Sequence, residues 1–404
     1  MLYRKALFLS AATALAASGS YVRAQAGGGP TATYWVTAET TSGMGAMMGR
    51  GAGGMMSAMM SGRAPPALSH ALILQLGSSQ KPAGDPSAEH LPPTGLGAGP
   101  SLPLVTPVRQ AERPGSWPTE KPKGKMLIYW GCGEHAGPGQ PVVLDFAKLA
   151  AGQAPPAFTS VSVQPQVPPG PGRTTTYGEW PNERSRTVVP ATGSLVGDHV
   201  VRGNYTPDIK FTLAPGQDFL PALAVRNSPV ASGAVQLNWQ SISAARAYFA
   251  GSMGAKQDGT IVVWSSSAVQ MPGMALPDFM SDGEIARLIN QKVLMSPQTT
   301  QCVVPAEVAK AVENPMLQLM AYGPEANFSH PARPANAPKD WHPDWTVKVR
   351  TKSVHVAVLG MEMPDFSAMN SDAQSEPQDQ QQQQPPPKKK KKGLFDAIGG
   401  IPIP

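Results

Sequence analysis

The chain is short of charge. Asp, Glu, Lys and Arg make up only 15% of its 404 residues, against roughly 25% in ordinary globular domains. Long helices need charged, straight-chain residues on their wet faces, so a helix-rich architecture is disfavoured. Cysteine is scarcer still. Cys132 and Cys302 stand alone with no C-x-x-C spacing, which argues against a thioredoxin-type site and a cysteine-based structural zinc site. The chain also lacks G-x-S-x-G, H-E-x-x-H, a P-loop, and a G-x-G-x-x-G after a strand. Four familiar routes to acyl transfer, metalloproteolysis, nucleotide binding and dinucleotide binding therefore have no signature here.

Proline and glycine are abundant. The 44 Pro and 41 Gly make about a fifth of the chain, which suits short strands joined by turns. The net charge of +6 is unevenly placed. Three positives lie in the first 26 residues and five in Lys388, Lys389, Lys390, Lys391 and Lys392, leaving 25 basic and 26 acidic residues between 27 and 387. A broad nucleic-acid face needs Lys and Arg spread over the body, so no nucleic-acid partner is expected.

Residues 1–26 read as a cleavable signal peptide. Arg4 and Lys5 precede the apolar stretch 6–17, and Ala24-Gln25-Ala26 supplies an A-x-A site. The stretch falls short of the roughly 20 residues that span a bilayer, and no cysteine stands at the cleavage point. The sequence therefore predicts a periplasmic or secreted protein. In an oxidising compartment Cys132 and Cys302 can pair, or remain two separate buried thiols.

The remainder divides into two β-rich regions and a tail. The first is predicted over 27–215, with strands at 31–41, 70–76, 102–108, 126–130, 142–146, 158–163, 188–189, 195–201 and 209–213. The apolar run Met126-Leu-Ile-Tyr-Trp130 reads as a strand buried on both faces. Residues 42–67, rich in Gly, Ala and Met, read as a mobile insertion. The second region, 216–362, contains the alternating Val235-x-Leu237-x-Trp239, then Ala247–Ala250 and Ile261–Trp264. Ser281-Asp-Gly-Glu284 is a capping-box signature opening a helix near 281–292, and a second short helix is expected over 306–313. Strands at 317–322 and 346–358 close the region. Residues 363–404, rich in Gln, Pro and Lys, read as a disordered tail.

The run Val235, Leu237, Trp239, Ala245 and Tyr248 resembles fibronectin type III-like and immunoglobulin-like sandwiches over about residues 230–265. The resemblance implies that Trp239 packs in a core with Tyr248 nearby. The fold expected for the whole chain is all-β: two sandwich-like domains with loop and short-helix insertions.

Four constellations could carry chemistry. Seven methionines crowd 44–60, with M-x-x-M spacing at Met44/Met47 and Met56/Met59. Thioethers are soft ligands that suit Cu(I), and Met is also an adaptable packing residue. Cys132, Glu134 and His135 share the turn WGCGEH, which reads as a Gly-rich turn holding a disulfide or buried thiol. Trp341, His342 and Trp345 form an aromatic loop that stacks on a partner or covers the sandwich end. Lys388–Lys392 precede Leu394, Phe395 and Ile398, a pattern suited to peripheral contact with an anionic membrane. The leading functional expectation is an exported, non-catalytic cell-envelope binding or structural protein, whose partner is an envelope protein or a glycan. The alternatives are a periplasmic copper-binding protein using the Met-rich segment and a secreted enzyme of unidentified class.

Overall fold

Alternating apolar and polar residues dominate the chain, and they fold as strands. A computed structural model describes residues 29–48, 68–107, 124–154, 161–185, 187–271, 276–339 and 341–361. The expected signal peptide, the Met-rich residues beyond Met48, and the tail lie outside the described residues. The strands are β1 (Ala32–Gly43), β2 (Leu68–Ser78), β3 (Ala88–Leu91), β4 (Leu102–Leu104), β5 (Lys125–Trp130), β6 (Val142–Asp145), β7 (Thr176–Trp180) and β8 (Gly197–Gly203). They continue with β9 (Thr206–Leu213), β10 (Val225–Pro229), β11 (Val235–Trp239), β12 (Ala247–Ala255), β13 (Ile261–Ser265), β14 (Gln301–Val304), β15 (Met316–His330) and β16 (Trp345–Val358). The helices are α1 (Met44–Met48), α2 (Phe146–Ala150), α3 (Asp282–Asn290) and α4 (Ala306–Ala311), all short. The fold is all-β.

Three sheets organise the strands. A nine-stranded sheet runs β6-β5-β13-β12-β15-β16-β1-β2-β7, a four-stranded sheet β4-β3-β8-β9, and a three-stranded sheet β10-β11-β14. Side chains alternate across each strand, and one face of the large sheet packs on both smaller sheets. Ala32, Tyr34, Val36, Leu74, Leu76, Val347 and Val349 meet Leu102, Val201, Ile209 and Phe211 of the four-stranded sheet. Leu319, Trp264 and Tyr248 meet Val235, Leu237, Trp239 and Val304 of the three-stranded sheet. Burying each of the Val, Leu, Ile and Phe side chains among them stabilises the fold by about 1.5–3 kcal/mol. Between the two smaller sheets the segment 219–224 crosses the large one. Thr40 Oγ1 donates to the Leu220 carbonyl at 2.7 Å and Ser42 Oγ to that of Leu223 at 2.6 Å. The opposite face carries a third core, where Ile285 and Leu288 of α3 lie on Phe249, Met320 and Val354.

The division expected at 215/216 separates the two smaller sheets but does not divide the large one. β1 pairs in parallel with β16, setting Ala32 beside Trp345, and β5 pairs in parallel with β13. Strands from both regions thus share one sheet. The run 126–130 is buried at Ile128 and Tyr129 only, because β5 lies one strand in from the sheet edge. Val188 and Val189 form no strand, nor does 161–163, while 155–160 lie outside the described residues. The insertion begins later than 42. Ser42 and Gly43 complete β1, Gly43 takes a left-handed φ of 64°, and α1 follows.

Two features of the second region match their sequence signals. Trp239 and Tyr248 are both buried with ring centroids 5.5 Å apart, and the Tyr248 hydroxyl accepts from the Ile242 amide at 2.7 Å. The three strands β10, β11 and β14 pack on β5, β13, β12 and β15 of the large sheet. The Ser281 hydroxyl caps α3 by accepting from the Glu284 amide at 3.2 Å. The reciprocal half of the capping box does not form. Glu284 instead accepts from the Gln164 amide at 2.9 Å and from Arg287 at 2.9 and 2.6 Å.

Candidate functional site

The even positions of β16 build a ladder of cations beneath the loop 276–280. Period-two geometry puts Lys348, Arg350 and Lys352 on one face, where β1 and β15 supply acids and an indole. Lys348 Nζ lies 2.8 Å from Glu325 and 5.5 Å from the Trp35 ring centroid. Lys352 Nζ bridges Glu39 at 2.9 Å and Asp278 at 3.1 Å, and sits 5.0 Å from the Phe279 ring. Arg350, between them, is held by two aromatic faces, Trp35 at 4.7 Å and Phe279 at 4.3 Å. Its Nε donates to Thr37 Oγ1 at 2.8 Å and its Nη1 to Gln166 Oε1 at 3.4 Å. Burial lowers the Arg350 pKa to about 10, against the pull of Glu325 and Asp278, so the guanidinium stays charged at neutral pH.

Beside the ladder lies a recess of about 200 Å³ lined by Phe249, Gly251, Leu276, Asp278, Gln318 and Tyr322, among others. Gly251 leaves the floor open, Phe249 and Tyr322 furnish aromatic walls, and Asp278 and Gln318 bring a carboxylate and an amide. Asp278 belongs to both recess and ladder. The Tyr322 hydroxyl donates to the Pro277 carbonyl at 3.2 Å, fixing the loop over it, and burial raises the phenol well above its ordinary pKa. Among the described residues, the lining includes no Ser, Cys, His or Lys. A larger hollow of about 400 Å³ opens at the end of the three-stranded sheet, among Pro229, Val235, Val312, Pro315 and Leu359.

The residues singled out from sequence lie elsewhere. Cys132 and Cys302 form a disulfide across 170 residues, joining the turn after β5 to β14. In the same turn Glu134 uses its carbonyl to accept from the Ala306 amide at 3.0 Å. His135 Nδ1 meets Glu307 at 3.1 Å, in the open. The Ala136 amide donates to the other Glu307 oxygen at 2.9 Å and holds that carboxyl below its usual pKa, with help from His135. The WGCGEH turn is thus a docked turn around a disulfide. Met44 and Met47 lie on α1, whereas Met56 and Met59 fall outside the described residues. Among the described residues, no three His, Cys, Asp or Glu side chains form a group able to hold a metal. Trp345 is buried in the first core and stacks on His330 at 5.6 Å. Trp341 lies under Arg333 at 5.8 Å, and Lys388–Lys392 lie outside the described residues.

Sequence reasoning missed the ladder. The valines of β16 shift from odd positions (347, 349) to even ones (354, 356, 358) across Arg350 and Lys352, and that shift was the available signal. The chain matches no protein-family model, and no curated protein and no solved structure is similar to it.

Proposed function

We propose that the chain is an exported, non-catalytic binding or structural protein of the cell envelope. The Cys132–Cys302 bridge carries the reading. Disulfides persist in oxidising compartments, and the first 26 residues have the pattern of an export signal. The recess beside the cation ladder suits a small polar or aromatic group offered by an envelope protein or glycan. Asp278 and Gln318 would orient that group, while Phe249 packs on it. Cell fractionation of the native host, followed by crosslinked pull-down, tests the proposal. Recovery in the envelope or periplasmic fraction with a specific partner is expected. A cytoplasmic pool with residues 1–26 intact would overturn it.

A second reading, copper binding through the Met-rich segment, draws on α1. Met44 and Met47 stand at i and i+3 on one helical turn and so share a face. Cu(I) titration against a bathocuproine-type chelator decides it. Competition that disappears in a Met44→Leu/Met47→Leu variant would favour copper, and no competition by the wild type would remove it.

A further inference from the structure

Three polar side chains stand in the middle of the first apolar core. Tyr34, His90 and His199 are exposed by 0, 1 and 1%, and they form one hydrogen-bonded chain. His199 Nε2 lies 2.7 Å from the Leu195 carbonyl, His199 Nδ1 lies 3.1 Å from His90 Nε2, and His90 Nδ1 lies 2.6 Å from the Tyr34 hydroxyl. The direction of every bond follows from the end at Leu195. A carbonyl only accepts, so His199 carries its hydrogen on Nε2. A neutral imidazole has a single N–H, so His199 Nδ1 accepts and His90 Nε2 donates. His90 Nδ1 is then an acceptor as well, and the Tyr34 hydroxyl donates to it. With both rings neutral, every hydrogen in the chain has an acceptor, the Tyr34 phenolic hydrogen included.

Adding a proton breaks it. On His199 Nδ1 the new N–H would face His90 Nε2 at 3.1 Å and drive the His90 hydrogen over to Nδ1, which again leaves the Tyr34 phenolic hydrogen without a partner. On His90 Nδ1 it would turn the Tyr34 oxygen into an acceptor and leave the phenolic hydrogen without its partner. The surroundings do not compensate. Phe211 of β9 stacks on His199 at 4.8 Å, and β2, β4, β7, β9, β15 and β16 contribute apolar side chains to this core. The titratable groups acting on the chain are Asp198, which favours charge on His199, and Tyr205, which acts on Tyr34. Desolvation outweighs Asp198, and both histidines are held below their ordinary pKa.

His90 and His199 belong to the four-stranded sheet and Tyr34 to the nine-stranded one. We propose that the Tyr34–His90–His199 chain is an acid-sensitive latch that fastens the two layers of the first sandwich. The proposal does not depend on the compartment. Once the layers part, each imidazole regains a pKa near 6.5. Because the closed-state values are depressed, the latch stabilises fully above about 6.5 and weakens as pH falls below it. Each histidine that takes up a proton on opening raises the open fraction about tenfold per pH unit. The pair would raise it about a hundredfold between pH 7.5 and 5.5.

Two measurements on the full chain test the latch. Histidine ¹⁵N spectra should hold His90 and His199 in the neutral Nε2–H form at pH 6.5. Amide-exchange protection in β3 and β8 should fall about a hundredfold between pH 7.5 and 5.5, and a Tyr34→Phe/His90→Leu/His199→Leu variant should lose most of that dependence. A charged His90 or His199 in the folded protein at pH 6.5 would overturn the latch. So would wild-type protection that stays within threefold across the range. Should the variant fail to fold, the two wild-type measurements still decide.

Discussion

Replacing Cys132 and Cys302 by alanine should weaken the fold by roughly 3–5 kcal/mol. The bridge closes 170 residues of chain, and loop-closure entropy for a cross-link of that span puts the ceiling at about 5 kcal/mol. The native arrangement does not rely on the bridge for its geometry. Gly133 donates to the Val303 carbonyl at 2.9 Å and Ala306 to that of Glu134 at 3.0 Å, so the turn stays docked against β14 when the sulfurs are gone. The loss is therefore expected mainly through a more expanded unfolded ensemble, with a small addition because Cys302 is buried among Leu237 and Val304. With a urea slope of about 3 kcal/mol/M, the midpoint should drop by about 1 M or more. Urea unfolding of oxidised wild type and the double variant, followed by tryptophan fluorescence, measures it. Coincident midpoints would refute the argument.

Three further outcomes follow from the packing and the sequence. Trp239→Ala should destabilise by about 3–5 kcal/mol, and Tyr248→Phe by about 1–3 kcal/mol because it orphans the Ile242 amide; urea midpoints of both variants check this. Glu284 is held below its usual pKa mainly by Arg287, with the Gln164 amide adding to the effect. Its stabilisation should be present above about pH 4.3 and fade as pH falls further. Wild type should therefore exceed Glu284→Gln by about 1–2 kcal/mol at pH 7, with a margin that shrinks progressively as pH falls below about 4.3, as thermal melts would report. Each of Lys388–Lys392 can add about 1 kcal/mol near an anionic surface, so full-length protein should sediment with anionic vesicles and a 1–387 truncation should not. Equal sedimentation of the two, or no loss with salt, would remove the tail as an anchor.

The strands were legible wherever one face meets a core. Val235-x-Leu237-x-Trp239 and Ile209–Leu213 alternate because a single face is buried, and Ser281 marked its helix because a hydroxyl there satisfies an amide. Pairing partners were not legible. β1 lies beside β16 and β5 beside β13 through contacts far apart in sequence, which no local pattern encodes, so the sheet that both regions share was not visible. The break in the β16 valine alternation was visible but unexplained. Val347 and Val349 face the first core while Val354 faces the third on the opposite side, and the cations fill the changeover. His90 and His199 looked like scattered singles because only the β3–β8 pairing brings them to 3.1 Å. The disulfide was one of two readings open to the cysteines, since sequence cannot measure their separation.

The most direct test of an exported, bridged envelope protein is the intact mass of the chain purified from its native host without reductant. The account expects a mass lacking residues 1–26 and lighter than the reduced mature chain by two hydrogens. A full-length mass, with both thiols open to alkylation after denaturation, would contradict it.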